Sequence, residues 1–143
     1  MIRVQEPDFS LEQEHRALKQ SGSTGAVVTF VGTVREFSNT SDDRFFLQHY
    51  PGMTERVLEK IEQRAHSKWQ LTGASIVHRV GHLNVDDQIV FVGASSAHRD
   101  HAFLAARYMI DILKTEAPFW KKEGDRWVNA KDSDQQQAER WLD

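Results

Sequence analysis

Apolar residues recur along the chain with two different periods, and the changes of period mark the elements. Val57, Leu58, Ile61, Ala65 and Trp69 follow the three-to-four spacing of one helical face, which predicts a helix over Thr54–Trp69. A second stripe runs through Ala102, Phe103, Ala106, Met109, Ile110 and Leu113. It predicts a long helix, capped by Ser95 or Ser96, running to about Ala117 and stopped by Pro118. Ser10 with Gln13 three residues on has the spacing of a capping box and opens a shorter helix. Ser133–Trp141 reads as a polar helix with an aromatic near its end.

Between these lie runs rich in Val, Ile, Thr and Phe. Ile2–Gln5, Gly25–Val34, Phe45–Tyr50, Ala74–Val80 and Gln88–Ala94 predict strands. Pro51-Gly52 is a turn, and Gly81–Asp87 is a connection whose Asp86-Asp87 pair suits a turn. Phe119–Lys122 and Arg126–Asn129 predict a hairpin across Glu123-Gly124-Asp125. Three longer helices and about six strands make an α+β chain, in which strands adjacent in sequence favour antiparallel pairing. The polar stretch from Glu36 to Arg44 breaks the pattern and predicts a mobile loop. No repeat or Pro/Gly/Ser linker divides the 143 residues, so a single domain over 1–143 is expected.

Composition narrows the chemistry. An apolar fraction of 39%, 10% aromatics, a net charge of -3 and a mean hydropathy of -0.59 read as soluble and globular. There is no cysteine, which excludes disulfides, thiolate-bound zinc, iron–sulfur clusters, a cysteine nucleophile and a persulfide on this chain. The near-neutral charge argues against a nucleic-acid binder. The N-terminal residues lack the apolar core of a signal peptide, and the uncharged run Gly25 to Val34 is far short of the ~20 residues of a membrane span. A cytoplasmic protein with no nucleic-acid or membrane partner is expected.

Three places can carry chemistry. Lys114 falls in the last turn of the long helix, and Pro118 turns the chain so that Lys121 can come back beside it. Two ammonium groups brought close disfavour each other's charge, and a lysine so adjusted can act as a base or nucleophile. A cation at a helix C-terminus also simply complements the dipole. Ser95-Ser96-Ala97-His98-Arg99 lies where a strand gives way to a helix, a place suited to a phosphate or carboxylate; Asp100 can also supply that negative charge internally. Arg35 follows an apolar strand and opens the polar loop, as a site residue or as a solvated strand end. Other strings lead nowhere. His98-Arg99-Asp100 lacks every other kinase feature. His49, His78, His82, His98 and His101 follow no metal-site spacing. Trp69, Trp120, Trp127 and Trp141 read as core or interface anchors.

Five ordered strings point further: His49-Tyr50-Pro51-Gly52-Met53; Val77-His78-Arg79-Val80-Gly81; Ser96-Ala97-His98-Arg99; Leu113-Lys114-Thr115 with Ala117-Pro118-Phe119-Trp120-Lys121; and Gly124-Asp125-Arg126-Trp127-Val128. With these, the chain from about residue 25 onward resembles the MoaE family, the large subunit of molybdopterin synthase. The resemblance implies an α/β-hammerhead with an additional antiparallel β subdomain, and a homodimer. Each copy would bind a small ubiquitin-like, MoaD-type subunit ending in Gly-Gly, giving a heterotetramer. That partner would supply sulfur as a C-terminal thiocarboxylate to cyclic pyranopterin monophosphate, building the dithiolene of molybdopterin with no cofactor or metal on this chain. By position the resemblance implies catalytic roles for Lys114 and Lys121. It implies substrate binding by Phe30, Arg35, His98, Arg99 and, across the dimer, Lys131, where relatives usually carry arginine. Where relatives usually carry a carboxylate before the His49 string, this chain has Gln48.

Two other functions fit parts of the pattern: a partner-binding scaffold of the same fold without catalysis, and a lysine lyase forming a Schiff base on a phosphorylated substrate. The missing cysteines favour sulfur transfer from a second polypeptide in one respect, since a sulfurtransferase without a thiol must receive its sulfur from elsewhere.

Overall fold

Alternation along the strands decides which residues meet. The computed structural model describes residues 1–37, 42–128 and 132–142. In chain order the elements are β1 (Ile2–Gln5), α1 (Leu11–Ala17), β2 (Ala26–Thr33), β3 (Phe45–His49), α2 (Met53–Lys68), β4 (Gly73–Arg79), β5 (Gly81–Leu83), β6 (Gln88–Ser96), α3 (Arg99–Glu116), β7 (Phe119–Glu123), β8 (Arg126–Val128) and α4 (Asp132–Glu139).

The first sheet has the order β1-β4-β6-β2. Ile76, Val90 and Val92 turn one face toward Leu58 and Ile61 of α2 and Ala105 and Met109 of α3, all fully or nearly fully buried. Val77 and Phe91, their neighbours along the strands, point the other way and pack under Phe9 and Leu18, around α1. Because both faces are covered, β4 and β6 are apolar runs rather than alternating ones. Each large side chain buried this way contributes about 1.5–3 kcal/mol.

The second sheet has the order β5-β3-β7-β8 and is antiparallel throughout. Its small core is Val34, Phe45, Leu47 and Leu83. Its other face is open, with Trp120 and Trp127 exposed. The C-terminal segment is fastened to α3 by the buried Asp111 carboxylate, which accepts from the Trp141 indole N–H at 2.8 Å and from Arg107 Nε at 3.1 Å.

The α+β expectation holds, and so does the added antiparallel subdomain. Ser10 caps α1, its hydroxyl accepting from the Gln13 N–H at 3.3 Å. Four details differ from the sequence reading. Ser95 and Ser96 do not cap α3. They extend β6, paired with Val27 and Ala26, and their hydroxyls donate to the carbonyls of Leu18 and Gln70 at 2.6 and 2.7 Å; His98 stands at the cap. Gly81–Leu83, read as a connection, is a fourth strand of the second sheet, paired with β3, and Gly81, at a φ of +90°, turns the chain from one sheet into the other. Strands next to each other in sequence are thereby split between sheets, and β1 pairs with β4 in parallel. Trp141 lies beyond the end of α4 rather than within it. The middle of the expected loop, residues 38–41, is outside the described residues. On its far side Arg44 bridges Asp42 and Asp125 at 2.8 and 2.9 Å.

Candidate active site

Three separate elements carry cations into one hollow. Val34 is buried, and its backbone is held on both sides: its N–H donates to Asp87 at 2.9 Å and its carbonyl accepts from Asp86 at 2.7 Å. The next residue, Arg35, therefore leaves a fixed support and is exposed. At the end of α3, Leu113 is buried and Lys114, one step round the helix, emerges. Pro118 then turns the chain into β7. There Phe119, Lys121 and Glu123 share the inner face by alternation, with Lys121 opposite Leu47 of β3.

Arg35, Lys114 and Lys121 line a single cavity of about 730 Å³. Lys121 Nζ lies 3.9 Å from the Glu123 carboxylate, within the same wall. The return of Lys121 toward Lys114, expected from Pro118 alone, is what the fold produces. Glu36, Glu123 and Asp134 also line the cavity, so its charge is mixed; the three cations are where a phosphate or carboxylate finds partners, and the arginine among them offers the planar fork that such anions take up.

His78, on β4, forms part of the same wall. Its ring is buried, lies flat on Phe119 with centroids 3.7 Å apart at 15°, and places Nδ1 2.8 Å from the Arg79 carbonyl. Burial, helped by the nearby charges of Lys114 and His49, pushes its pKa down to about 3, against the pull of the Arg79 carbonyl. The sequence reading considered His78 only as a metal ligand. The signal that places it was present: it continues the Ala74, Ile76 alternation that faces the helices. Among the described residues no three His, Asp or Glu side chains gather to hold a metal ion.

The remaining predicted residues lie elsewhere. His98 and Arg99 are exposed at the start of α3, and Arg99 is roughly 22 Å from Lys114 at 1.5 Å per helical residue. Phe30 sits on β2 opposite Val92, 40% exposed, and is not among the residues lining the cavity. Lys131 is outside the described residues.

Residues 4–116 match the family described as "MoaE protein". A relative from Vibrio cholerae, named "Molybdopterin synthase catalytic subunit", is 49% identical, with 98% of this chain and 97% of the relative covered. The solved structure of a molybdopterin biosynthesis MoaE protein from Burkholderia ambifaria superposes with a TM-score of 0.85 at 46% identity, covering 99% of this chain and 98% of that one. A protein–protein complex of subunits 1 and 2 of a molybdopterin-converting factor from Helicobacter pylori contains a chain of the same fold. Its TM-score is 0.74 at 18% identity, over 92% of this chain and 90% of that one. The likeness thus reaches into the first 24 residues, which the sequence strings left out.

Proposed function

The chain belongs to the MoaE family, and from that premise we propose that it is the catalytic subunit of a molybdopterin synthase, acting as a sulfurtransferase. The observation that carries the reading is the convergence of Arg35, Lys114 and Lys121 on one cavity from three different elements. The substrate is cyclic pyranopterin monophosphate. The sulfur donor is the C-terminal thiocarboxylate of a small MoaD-type partner whose Gly-Gly tail enters the cavity.

Each step asks for positive charge. The thiocarboxylate sulfur attacks a side-chain carbon of the pterin as that carbon's bond to oxygen breaks, the oxygen leaving with the opened phosphate at one carbon and as water at the other. Each attack leaves an acyl–sulfur link between partner and substrate, and two partners supply the two sulfurs. Water cleaves that link, sulfur stays on the substrate, and the partner leaves as a carboxylate. Oxyanions form when the acyl carbon is attacked and when the cyclic phosphate opens, and fixed cations in a cavity stabilise both. Lys114 and Lys121 donate and accept the protons, and Arg35 holds an anion through its fork. No step needs a cofactor or metal on this chain.

His98 and Arg99 enter the same reaction only from a second copy, because a whole helix separates them from Lys114 in their own. A twofold pair of chains then has two equivalent pockets, each completed by the other copy's helix start, with Phe30 and Lys131 as further substrate-binding groups.

The test is reconstitution. Purified chain, substrate and thiocarboxylated partner are expected to yield the dithiolene, and the same partner ending in an ordinary carboxylate to yield none. Alkylating this chain with thiol reagents beforehand leaves turnover unchanged. Dithiolene formed without the thiocarboxylate overturns the reading. Borohydride trapping of a substrate–lysine adduct in the absence of partner points instead to the Schiff-base lyase.

A further inference from the structure

His78 is a buried titratable group at the cavity to which the reaction above assigns no task. A carbonyl oxygen can only accept, so the 2.8 Å contact with Arg79 requires the hydrogen on Nδ1. A neutral imidazole carries one such hydrogen, which leaves a lone pair on Nε2. No group among the described residues hydrogen-bonds that nitrogen. With its pKa near 3, the ring stays neutral over the whole range in which enzymes work, so Nε2 remains an uncharged acceptor in a cavity whose charged lining is Arg35, Lys114 and Lys121 beside the carboxylates of Glu36, Glu123 and Asp134. The charged and titratable groups around it are Lys114 from α3, His49 from β3, Lys121 and Glu123 from β7, Arg35 and Glu36 after β2, and Asp134 from α4.

The stacking has a second consequence. Phe119 lies between Lys114 and Lys121 in the chain, at the point where α3 has ended and β7 begins. A ring clamped flat on His78 fixes where the helix end and the strand start sit relative to the first sheet. Of the charges acting on His78, that of Lys114 pushes its pKa down most.

We propose that His78 is a positioning residue for both lysines: its ring clamps Phe119 between them, and its Nε2 accepts a hydrogen bond from the Lys114 ammonium in the assembled enzyme. This rests on the reading of Lys114 and Lys121 as acting groups, yet its test does not depend on turnover. In the complex with the partner, with histidines labelled by nitrogen-15, the His78 ring is expected to show a protonated Nδ1 and an unprotonated Nε2 from pH 5 upward. The Nε2 resonance is expected to move as Lys114 loses its proton with rising pH, and that movement to vanish in Lys114→Met. A hydrogen on Nε2, or a resonance equally flat in both proteins, overturns the proposal even if sulfur transfer is fully confirmed.

Activity supplies a second reading. His78→Phe keeps a ring on Phe119 but has no acceptor, and His78→Gln restores one. The Phe variant is expected to lose about tenfold in kcat with KM within about twofold. Its alkaline limb should move to lower pH, because the charged lysine loses a stabilising acceptor. The Gln variant recovers most of both. Superimposable pH profiles in all three proteins overturn the acceptor role. If His78→Phe fails to fold, the resonance experiment decides alone.

Discussion

The two sheets use their inner faces differently. The first buries apolar side chains on both faces, so that β4 and β6 are closed off by α1 on one side and by α2 and α3 on the other. The second has a core of four buried residues, Val34, Phe45, Leu47 and Leu83, beside a cavity walled by ionisable groups. Its outer face carries exposed Trp120 and Trp127. Cations cannot be packed into a dry core without a large desolvation cost, so the lysines stand where apolar packing has been given up. The first sheet holds the molecule together, and the cavity beside the second gathers the ionisable groups from both.

That contrast is breakable, and the largest effect should fall on the cavity. Lys114→Ala or Lys121→Ala is expected to lower turnover by about 10²–10⁴, the range for proton-transfer groups. Both side chains line the cavity and neither is buried, so unfolding free energy should stay within about 0.5 kcal/mol of the parent. Denaturant melts beside the reconstituted assay check the two halves together; a large stability loss would mean that these lysines belong to the fold. The first sheet should answer in the opposite way. Phe91→Ala removes a fully buried ring that Phe9 meets edge-on at 6.0 Å. It is expected to cost about 3–5 kcal/mol of stability while turnover per folded molecule stays near that of the parent.

Where the sheets meet, His78 links stability to pH. The unfolded ring takes its proton near the ordinary value of 6.5, whereas the folded ring resists it until about 3. Stability from this group is therefore fully present above pH 6.5 and is lost as pH falls from there toward 3, by up to about 1.4 kcal/mol per pH unit. Melts across that window should show a shallower slope in His78→Gln, which has nothing to titrate. The smallest effect is expected on the open face of the second sheet: Trp127→Ala, 54% exposed, should change stability by no more than about 0.5 kcal/mol.

Much of the fold was legible because periodicity reports burial directly. The stripes through Leu58 and Met109 and the apolar runs of β4 and β6 are visible as patterns, and the resulting helices begin and end within a few residues of expectation. What stayed illegible was decided by distant partners. Ser95 and Ser96 have the chemistry of caps, but two backbone carbonyls from elsewhere in the fold take their hydroxyls. Gly81–Leu83 is too short to announce itself as a strand and becomes one only because β3 lies alongside. In the site, Lys114 and Lys121 were legible from a helix end, a proline and a short return. For His78 the alternation with Ala74 and Ile76 gave the inward direction but not the site, because its surroundings come from Phe119 and the end of α3, far along the chain. His98 and Arg99 were legible as candidates for an anion site, but nothing in their spacing shows that they stand a helix length from the lysines.

That separation makes the central claim directly measurable: one reaction site is built from the cavity of one copy and the helix start of another. Two inactive chains, His98→Ala with Arg99→Ala and Lys114→Ala with Lys121→Ala, are tagged differently, and mixed pairs are isolated and assayed with the thiocarboxylated partner. Each mixed pair has one intact pocket and one doubly damaged pocket, so the account predicts about half of the parent's dithiolene formation. Mixed pairs as inactive as either parent variant would contradict it.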